Sequence, residues 1–370
     1  MKLCCFFNYP PLYRQSIYKR IDDTFDCQFY FGREVEGTTN SGIKKLDFSI
    51  FKRCPKEFDN LMVFGRYLWR RKLLRLAFSS NDTFIVTGDF CWTYLPFLFL
   101  CKLIGKRVYA WGHGEKSNKR KAWKFEKYIY RWLTGYFTYG NGGRKRLMEF
   151  GIPGEKIHVI YNSLVDHIDG ASNIALKSDI LKKHFGNGNP TIVFIGRLTP
   201  QKKLGRLLDM MYAHRCQGLQ YNMLIIGDGC EMESLKKKAA KYELTDTIWF
   251  FGECYEGTEL NTLLYNSDLC VSPGNVGLTA LHTMQYGVPV ISHDDFETQM
   301  PEYEAIIPGK TGALFKKDDM HSMIEVVAGW LSNHSSLENR NVTREECYAV
   351  INEYFNSTYQ IELLKKVLKK

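Results

Sequence analysis

The second half of the chain alternates short apolar runs with helix-like segments, and this alternation strongly constrains the fold. Five runs rich in Val, Ile, Leu and Phe are separated by amphipathic or charged segments; they are 191–195, 223–226, 247–251, 269–271 and 288–291. Continuous apolar strands separated by helices are typical of a parallel sheet covered on both faces. The pattern therefore predicts a doubly wound α/β domain.

The first half repeats this pattern less regularly. Strands are expected at 3–7, 83–87, 107–111, 136–139 and 157–160. The 370 residues are enough for two domains of ordinary size. We predict one Rossmann-like domain over 1–165, a second over 166–344, and an amphipathic C-terminal helix over 345–370.

Charge is divided unevenly between the two halves. Residues 1–165 contain 29 Lys and Arg against 14 Asp and Glu, whereas the remainder carries a net charge of −5. Two basic, aromatic-rich segments at 64–78 and 116–133 supply most of the excess. Such segments favour an anionic membrane surface, and a solvated face over core helices is the alternative. Nucleic acid is not the expected partner, because no helix-turn-helix, zinc-finger or RNP sequence is present.

Other features bear on compartment and metal content. The longest apolar stretch, 91–100, is about half of the ~20 residues that a spanning helix needs. The start of the chain lacks a signal-peptide pattern, and the eleven cysteines include no CxxC pair. We therefore expect a cytoplasmic protein with reduced thiols that lies peripherally on the membrane. No Asp-x-Asp occurs, which argues against a metal-bound diphosphate, and no other cofactor is expected.

The segment Gly196 to Lys202 follows a buried strand and carries two candidate ligand-binding cations. Arg197 and Lys202 stand five residues apart at the predicted carboxyl end of the sheet, where open α/β sheets bind ligands. Arg forks onto phosphate oxygens and Lys supplies a point charge, so the pair suits a diphosphate. Two solvated surface cations are the alternative interpretation.

A Gly-rich turn at 272–278 opens the next helix. Backbone amides at a helix start bind anions, and Gly274 and Gly277 would let a phosphate or sugar approach the main chain. Glycines also form ordinary strand-to-helix turns. Together with the two cations, the turn favours a phosphate-bearing ligand.

An ordered set of motifs resembles the retaining GT-B glycosyltransferases of family 4. The resemblance covers about 140–315 well and 1–139 loosely. It is carried by Gly151–Ile157, Val159–Ser163, Phe194–Lys202, Leu224–Gly229, Phe251–Gly252, Leu278–Ile291 and Gly309–Phe315.

The resemblance implies two Rossmann-like domains facing a cleft, with Tyr354–Leu368 crossing back to the first. It implies transfer from a nucleotide-diphosphate sugar, UDP favoured over GDP, with retention and without metal. The acceptor would be a lipid-linked saccharide of surface polysaccharide biosynthesis, such as capsule or O-antigen. The implied donor-binding residues are Gly196, Gly227, Gly229, Phe251, Gly274, Asn275, Val276, Gly277, Leu278 and His282, with Arg197 and Lys202 catalytic.

One departure from the family is clear. The family has two glutamates eight positions apart, and alignment from Gly277 places Gly274 and His282 there. His282 would hydrogen-bond a ribose hydroxyl, or else pack as a structural helix histidine. Asn275 would contact donor sugar in place of the lost glutamate. The roles of Glu302 and Glu304, in a loop that the family places near the donor, stay open.

In the first half, His113 lies between glycines after the strand at 107–111, and the family carries a cleft histidine at a comparable position. We assign His113 an active-site role, with a structural histidine as the alternative. Asp89 is an acceptor candidate or a helix N-cap. Tyr13 and Arg14 are acceptor candidates or part of a stiff structural loop.

Because the glutamate pair is missing, a non-catalytic nucleotide- or nucleic-acid-binding protein is the alternative function.

Overall fold

The computed structural model describes residues 1–33, 44–63, 67–88, 91–114, 130–164, 175–254, 257–334 and 336–369. The chain forms two compact units. The first unit is Met1–Asp166 with Asn356–Lys370, and the second is His167–Phe355.

The first unit contains nine described strands. They are β1 Lys2–Phe7, β2 Asp26–Gly32, β3 Lys56–Phe58, β4 Leu61–Val63, β5 Tyr67–Trp69, β6 Thr83–Thr87, β7 Arg107–Gly112, β8 Gly135–Thr138 and β9 Ile157–Val159. Its described helices are α1 Gln15–Thr24, α2 Arg71–Leu76, α3 Tyr94–Leu103, α4 Asn141–Glu149 and, from the end of the chain, Ser357–Leu368. Short 3-10 turns lie at Leu12–Arg14, Phe48–Ile50 and Gly154–Lys156.

Seven of these strands form one parallel sheet in the order β3-β2-β1-β6-β7-β8-β9. Apolar residues fill both faces of the sheet. The C-terminal helix Ser357–Leu368 packs on α1 through Ile361, Leu364 and Leu368. The strand order reverses between β1 and β6, so the loops after β1, β6, β7 and β8 lie at the ligand-binding edge.

The second unit contains a six-stranded parallel sheet. Its strands are β10 Thr191–Ile195, β11 Asn222–Ile226, β12 Ile248–Gly252, β13 Leu269–Ser272, β14 Val290–His293 and β15 Gly312–Phe315. Its described helices are α5 Ile180–Phe185, α6 Gly205–Cys216, α7 Met232–Lys241, α8 Thr258–Asn266, α9 Thr279–Met284, α10 Met320–Asn333 and α11 Leu337–Tyr354. The C-terminal helix of the first unit, Ser357–Leu368, is α12. Short 3-10 turns lie at Pro200–Lys202, Thr245–Thr247 and Pro301–Ala305.

The strand order in this sheet is β12-β11-β10-β13-β14-β15, so the reversal falls between β10 and β13. The turn after β10 and the loop after β13 therefore meet at the topological switch point, where doubly wound sheets bind ligands. All strand pairs are parallel. The predicted doubly wound sheet is confirmed.

Several predicted boundaries differ from the structure. The strand predicted at 288–291 is Val290–His293, because Pro289 donates no hydrogen bond and its carbonyl accepts from Cys270 N at 2.9 Å. Strand β2 was not predicted, because Asp26 and Gln28 interrupt its apolar run. The tail 345–370 is not one helix: α12 begins where the Asn356 side chain accepts from Tyr359 N. Within the described residues, no helix combines the length and hydropathy needed to span a bilayer.

Candidate functional site

Close backbone packing shapes the turns at the carboxyl edge of the second sheet. Gly227 has a φ of +137°, and a Cβ there would overlap the carbonyl oxygen of Gly196. Gly229 has a φ of +155°, and its Cβ would overlap the carbonyl oxygen of Leu198. Only glycine fits both positions, so three predicted donor-site glycines, Gly196, Gly227 and Gly229, shape the turn that carries Arg197.

Lys202 lies at the end of a 3-10 turn and points into the loop after β13. Its Nζ donates to the carbonyl oxygen of Asn275 at 2.6 Å, and its own carbonyl accepts from Gly274 N at 3.1 Å. Desolvation lowers the pKa of Lys202 to about 8, although the Glu302 carboxylate opposes this shift; Arg197 lowers the pKa further. A lysine with so perturbed a pKa at a sheet's carboxyl edge indicates a functional site.

Gly274 stands where the family pattern has its first glutamate, and packing explains the glycine. A Cβ at this position would overlap the carbonyl oxygen of Gln201 and the backbone of Lys202. Because Gly274 has no side chain, the loop after β13 can contact the turn after β10. The Gly274 N–H hydrogen bond to the Lys202 carbonyl then fixes the lysine backbone.

Gln299, which the sequence analysis did not identify, fixes the 272–278 loop. Its Oε1 accepts from Val276 N at 2.9 Å, and its Nε2 donates to Ser292 Oγ at 2.8 Å and His293 O at 3.0 Å. Ser292 Oγ in turn donates to Ser272 O at 2.9 Å. Gln299 and Ser292 do not belong to a recognisable sequence motif. Only the hydrogen bonds of the folded chain show that they hold the 272–278 loop.

Two side chains of this edge are suited to bind hydroxyl groups. The Oδ1 atom of Asn275 is buried and has no hydrogen-bond partner among the described residues. Burial lowers the pKa of His282 to about 4, so the imidazole is neutral at pH 7. A buried unpaired acceptor costs stability unless a ligand satisfies it, which favours a hydroxyl-bearing ligand beside Asn275.

Glu302 places a buried carboxylate next to Lys202. Its side chain is 2% exposed on the 3-10 turn Pro301–Ala305, which packs against α9. A Cβ on Gly277 would lie 3.7 Å from both Lys202 Nζ and Met300 Cγ, so the segment that begins this turn borders the lysine. The sequence left Glu302 without a role, and the structure gives the site one carboxylate outside the family's two positions.

The remaining donor-site predictions fall around this centre. Arg197 is exposed directly after β10. Phe251 lies in β12 and packs edge-on against Trp249, with ring centroids 5.3 Å apart. Leu278 caps α9, and the next residue, Thr279, donates to the carbonyl oxygen of Ile195 at 2.7 Å. The structure thus ties α9 directly to the end of β10.

The first-unit candidates gather at the carboxyl edge of their own sheet. His113 follows β7, and its ring lies 4.9 Å from that of Tyr139. The Arg14 guanidinium lies over three rings, 4.9 Å from Tyr139, 5.6 Å from Trp111 and 5.9 Å from Tyr13. Asp89 lies outside the described residues.

Arg70 corrects part of the membrane-surface prediction. The sequence placed it among exposed cations, whereas it is 2% exposed and donates to Asn60 Oδ1 and Tyr94 Oη at 3.1 Å each. Of the same segment, Lys72 and Arg75 are exposed. Most of the second basic segment, 115–129, lies outside the described residues.

A cavity of about 170 Å³ lies at the opposite, amino edge of the second sheet. Its arginines are bonded within the protein. Arg340 pairs with Asp268, and Arg344 donates to the carbonyl oxygens of Tyr286 and Tyr265 at 3.0 and 2.8 Å. His334 stacks on Trp330 with centroids 3.9 Å apart. These paired groups give the cavity a structural role.

Comparison with known proteins finds sequence matches over part of the chain. Residues 177–348, which contain every second-unit site residue, match the family described as glycosyl transferases group 1. A 2-deoxystreptamine glucosyltransferase of Streptomyces kanamyceticus is 26% identical over 131 residues, 34% of each chain. The amylovoran biosynthesis glycosyltransferase AmsD of Erwinia amylovora is 40% identical over 63 residues, 17% of each chain. These matches span at most about a third of the relatives' length.

Solved structures resemble the whole chain. Anabaena HepE in complex with UDP has a TM-score of 0.74 at 14% identity, covering 100% of both chains. The apo lipopolysaccharide outer core galactosyltransferase WaaB has a TM-score of 0.71 at 17% identity, covering 100% of this chain and 99% of the other. The chain has the GT-B fold, as the sequence predicted. The match to the glycosyl transferases group 1 family lies within its second unit.

Proposed function

We propose that this protein is a retaining, metal-independent glycosyltransferase that uses a nucleotide-diphosphate sugar. The observation that carries the proposal is the enclosed Lys202 ammonium, held against the Asn275 carbonyl at 2.6 Å at the switch point of the group 1 domain. Arg197 stands five residues before it on the same turn. Two such cations suit the diphosphate of a nucleotide sugar.

Transfer requires the bond between the anomeric carbon and the diphosphate oxygen to break. Negative charge then grows on the leaving diphosphate, and preorganised cations stabilise that charge. Arg197 and Lys202 perform this role in our proposal, without a metal ion. The neutral acceptor hydroxyl attacks the face that the diphosphate leaves and gives its proton to the departing diphosphate oxygen, so the anomeric configuration is retained.

UDP is the favoured nucleotide, since HepE was solved with UDP and with UDP-glucose. The proposed acceptor is a lipid-linked saccharide of surface polysaccharide biosynthesis. AmsD, named for amylovoran biosynthesis, and WaaB, named for the lipopolysaccharide outer core, support this class. The enzyme would then work in the cytoplasm at the membrane surface.

Incubation of the purified protein with UDP- and GDP-sugars, followed by mass spectrometry, tests the activity. We expect slow hydrolysis to free nucleotide, unaffected by EDTA, and faster donor consumption when lipid-linked acceptors are added. Nucleotide binding without turnover, even with such acceptors, would instead favour a non-catalytic binding protein.

Membrane binding is tested by liposome flotation. Neutralising Lys119, Arg120 and Lys121 should lower the partition coefficient onto anionic liposomes about a hundredfold, since each of the three cations near an anionic surface contributes about 1 kcal/mol. A matched change of Lys236 and Lys237 in the second unit should leave flotation intact. Equal flotation of both variants would refute the assignment to the basic segment.

We further propose that Glu302 keeps Lys202 protonated. The groups that act on the Lys202 charge are Glu302, Arg197 and Cys270, and burial raises the pKa of the Cys270 thiol to about 12, so this thiol is neutral. Glu302 is therefore the main group in this set that raises the Lys202 pKa. Lys202 is charged below its pKa of about 8, so UDP affinity should fall as pH rises through that value.

Glu302→Gln should move this alkaline loss of UDP affinity to lower pH, because the attraction that raises the lysine pKa is removed. Isothermal titration calorimetry from pH 6 to 9.5 measures it. Glu304→Gln is the matched control on the same turn, as Glu304 is not among the groups that shift the Lys202 pKa. If Glu302→Gln lost UDP affinity at the same pH as the wild type, the proposed role of Glu302 would be contradicted.

A further inference from the structure

Arg14 is a cation at the ligand-binding edge of the first sheet without an acidic partner in the described structure. No carboxylate among the described residues forms an ion pair with it; the groups that interact with its guanidinium are the hydroxyls of Tyr13 and Tyr18. Burial raises the pKa of Tyr18 to about 12, so this hydroxyl is neutral at physiological pH. A guanidinium stays charged at every relevant pH, so its charge is not balanced by these neighbours.

Arg14 is only partly exposed to bulk water. The residue is half-buried where the 3-10 turn Leu12–Arg14 meets α1, and its guanidinium lies over the rings of Trp111 and Tyr139 at 5.6 and 4.9 Å. Aromatic faces attract a cation, yet they supply no formal negative charge. Removing a charge even partly from water without a counter-ion costs free energy. A partly exposed, uncompensated guanidinium at a ligand-binding edge points to an anion that arrives with the ligand.

A second observation falls on the same ring system. Trp111 is 2% exposed, and its Nε1–H has no hydrogen-bond partner among the described residues. Buried indole N–H groups usually find an acceptor. The ring that Arg14 covers therefore also holds an unsatisfied donor, which again calls for an incoming acceptor atom.

We infer that Arg14 and Trp111 form an anion-binding site in the first unit, specific for a phosphoryl or carboxylate group of the substrates. The inference rests on the proposed function and deepens it: the group belongs either to the acceptor, which would be an acidic or phosphorylated saccharide, or to the nucleotide. The planar guanidinium fork matches both anions, which bind it through two oxygens.

Two binding measurements on the full chain distinguish the sources. The first measures UDP affinity. The second saturates the protein with UDP and measures binding of glucose 1-phosphate, glucuronate and the uncharged methyl glucoside by saturation-transfer NMR. With UDP present, the diphosphate site of the second unit does not compete for the anionic sugars.

Arg14→Gln should weaken binding of the anionic sugars at least about tenfold, in line with the loss of a hydrogen bond to a charged group. Methyl glucoside binding should not change, and Arg14→Lys should restore part of the affinity because the charge returns without the fork. Loss of UDP affinity alone assigns the site to the nucleotide instead. Arg107→Gln, at the amino end of β7 in the same sheet, is the matched control.

The inference would be overturned if wild type and Arg14→Gln bound both anionic sugars and UDP equally well. It would also be overturned if wild type bound neither anionic sugar and Arg14→Gln left the UDP affinity unchanged. If wild type binds anionic sugars through Arg14 but binds no nucleotide, the proposed function fails and the anion site stands. Thermal unfolding of each variant separates loss of the site from loss of the fold.

Discussion

Lys202→Gln should lower the rate of sugar transfer by about 10²- to 10³-fold, the usual cost of removing one preorganised group that stabilises developing charge. The glutamine keeps most of the side-chain length and can still donate toward the Asn275 carbonyl, which now accepts from Lys202 Nζ at 2.6 Å. The loop should therefore stay folded while the charge is lost. Initial rates of UDP release and the UDP dissociation constant measure the effect.

Lys203→Gln is the matched control. The adjacent Lys203 points away from the site and pairs with Asp318 at 2.5 Å on the surface. An exposed ion pair contributes at most about 1 kcal/mol, so this variant should retain near-normal transfer and UDP affinity. If both variants lose activity equally, the turn rather than the Lys202 charge is responsible, and the assignment of Lys202 is wrong.

Gly274→Glu should abolish activity, although it restores the residue type that the family pattern has at this position. A side chain at 274 would overlap the carbonyl oxygen of Gln201 and the backbone of Lys202, so the two loops would separate. Overpacking of this kind costs typically 1–3 kcal/mol. We expect a lower melting temperature, a loss of UDP affinity and at least a hundredfold slower transfer.

Gly329→Glu provides the same substitution without the overlap. Gly329 is exposed in α10 of the same unit, and a Cβ there would meet no atom within 4 Å. Its stability and transfer rate should stay close to those of the wild type. An increase in transfer by Gly274→Glu would contradict the argument that a side chain at this position forces the two loops apart.

The sequence motifs were most informative where function depends on backbone geometry. Gly196, Gly227 and Gly229 were recognised from their order after predicted strands, and the structure places all three in the contacting turns at the sheet edge. Motifs were less informative for side chains. Asn275 was proposed for sugar binding and its Oδ1 is unpaired, whereas Gln299, which holds the loop through Val276 N, had no signal.

Charge counts were a poor guide to individual residues. The excess of cations in 1–165 suggested one basic surface, yet Arg70 is buried with hydrogen bonds to Asn60 and Tyr94. Arg14, which stands apart from both basic segments, lies over aromatic rings without a carboxylate partner in the described structure. Composition sums charges, but burial and partners decide what each charge does.

Local sequence was sufficient to predict most strands of the two parallel sheets, because hydrophobic periodicity and turn residues act over a few positions. The GT-B class was predicted from the resemblance of the ordered motifs to a known family. The interactions of the site join residues far apart in the chain: Lys202 donates a hydrogen bond to Asn275, and Glu302 acts electrostatically on Lys202. These interactions depend on the crossover connections that bring β10 beside β13. They also depend on glycines that let two backbones touch, so only the tertiary structure reveals which carboxylate stands beside the cation.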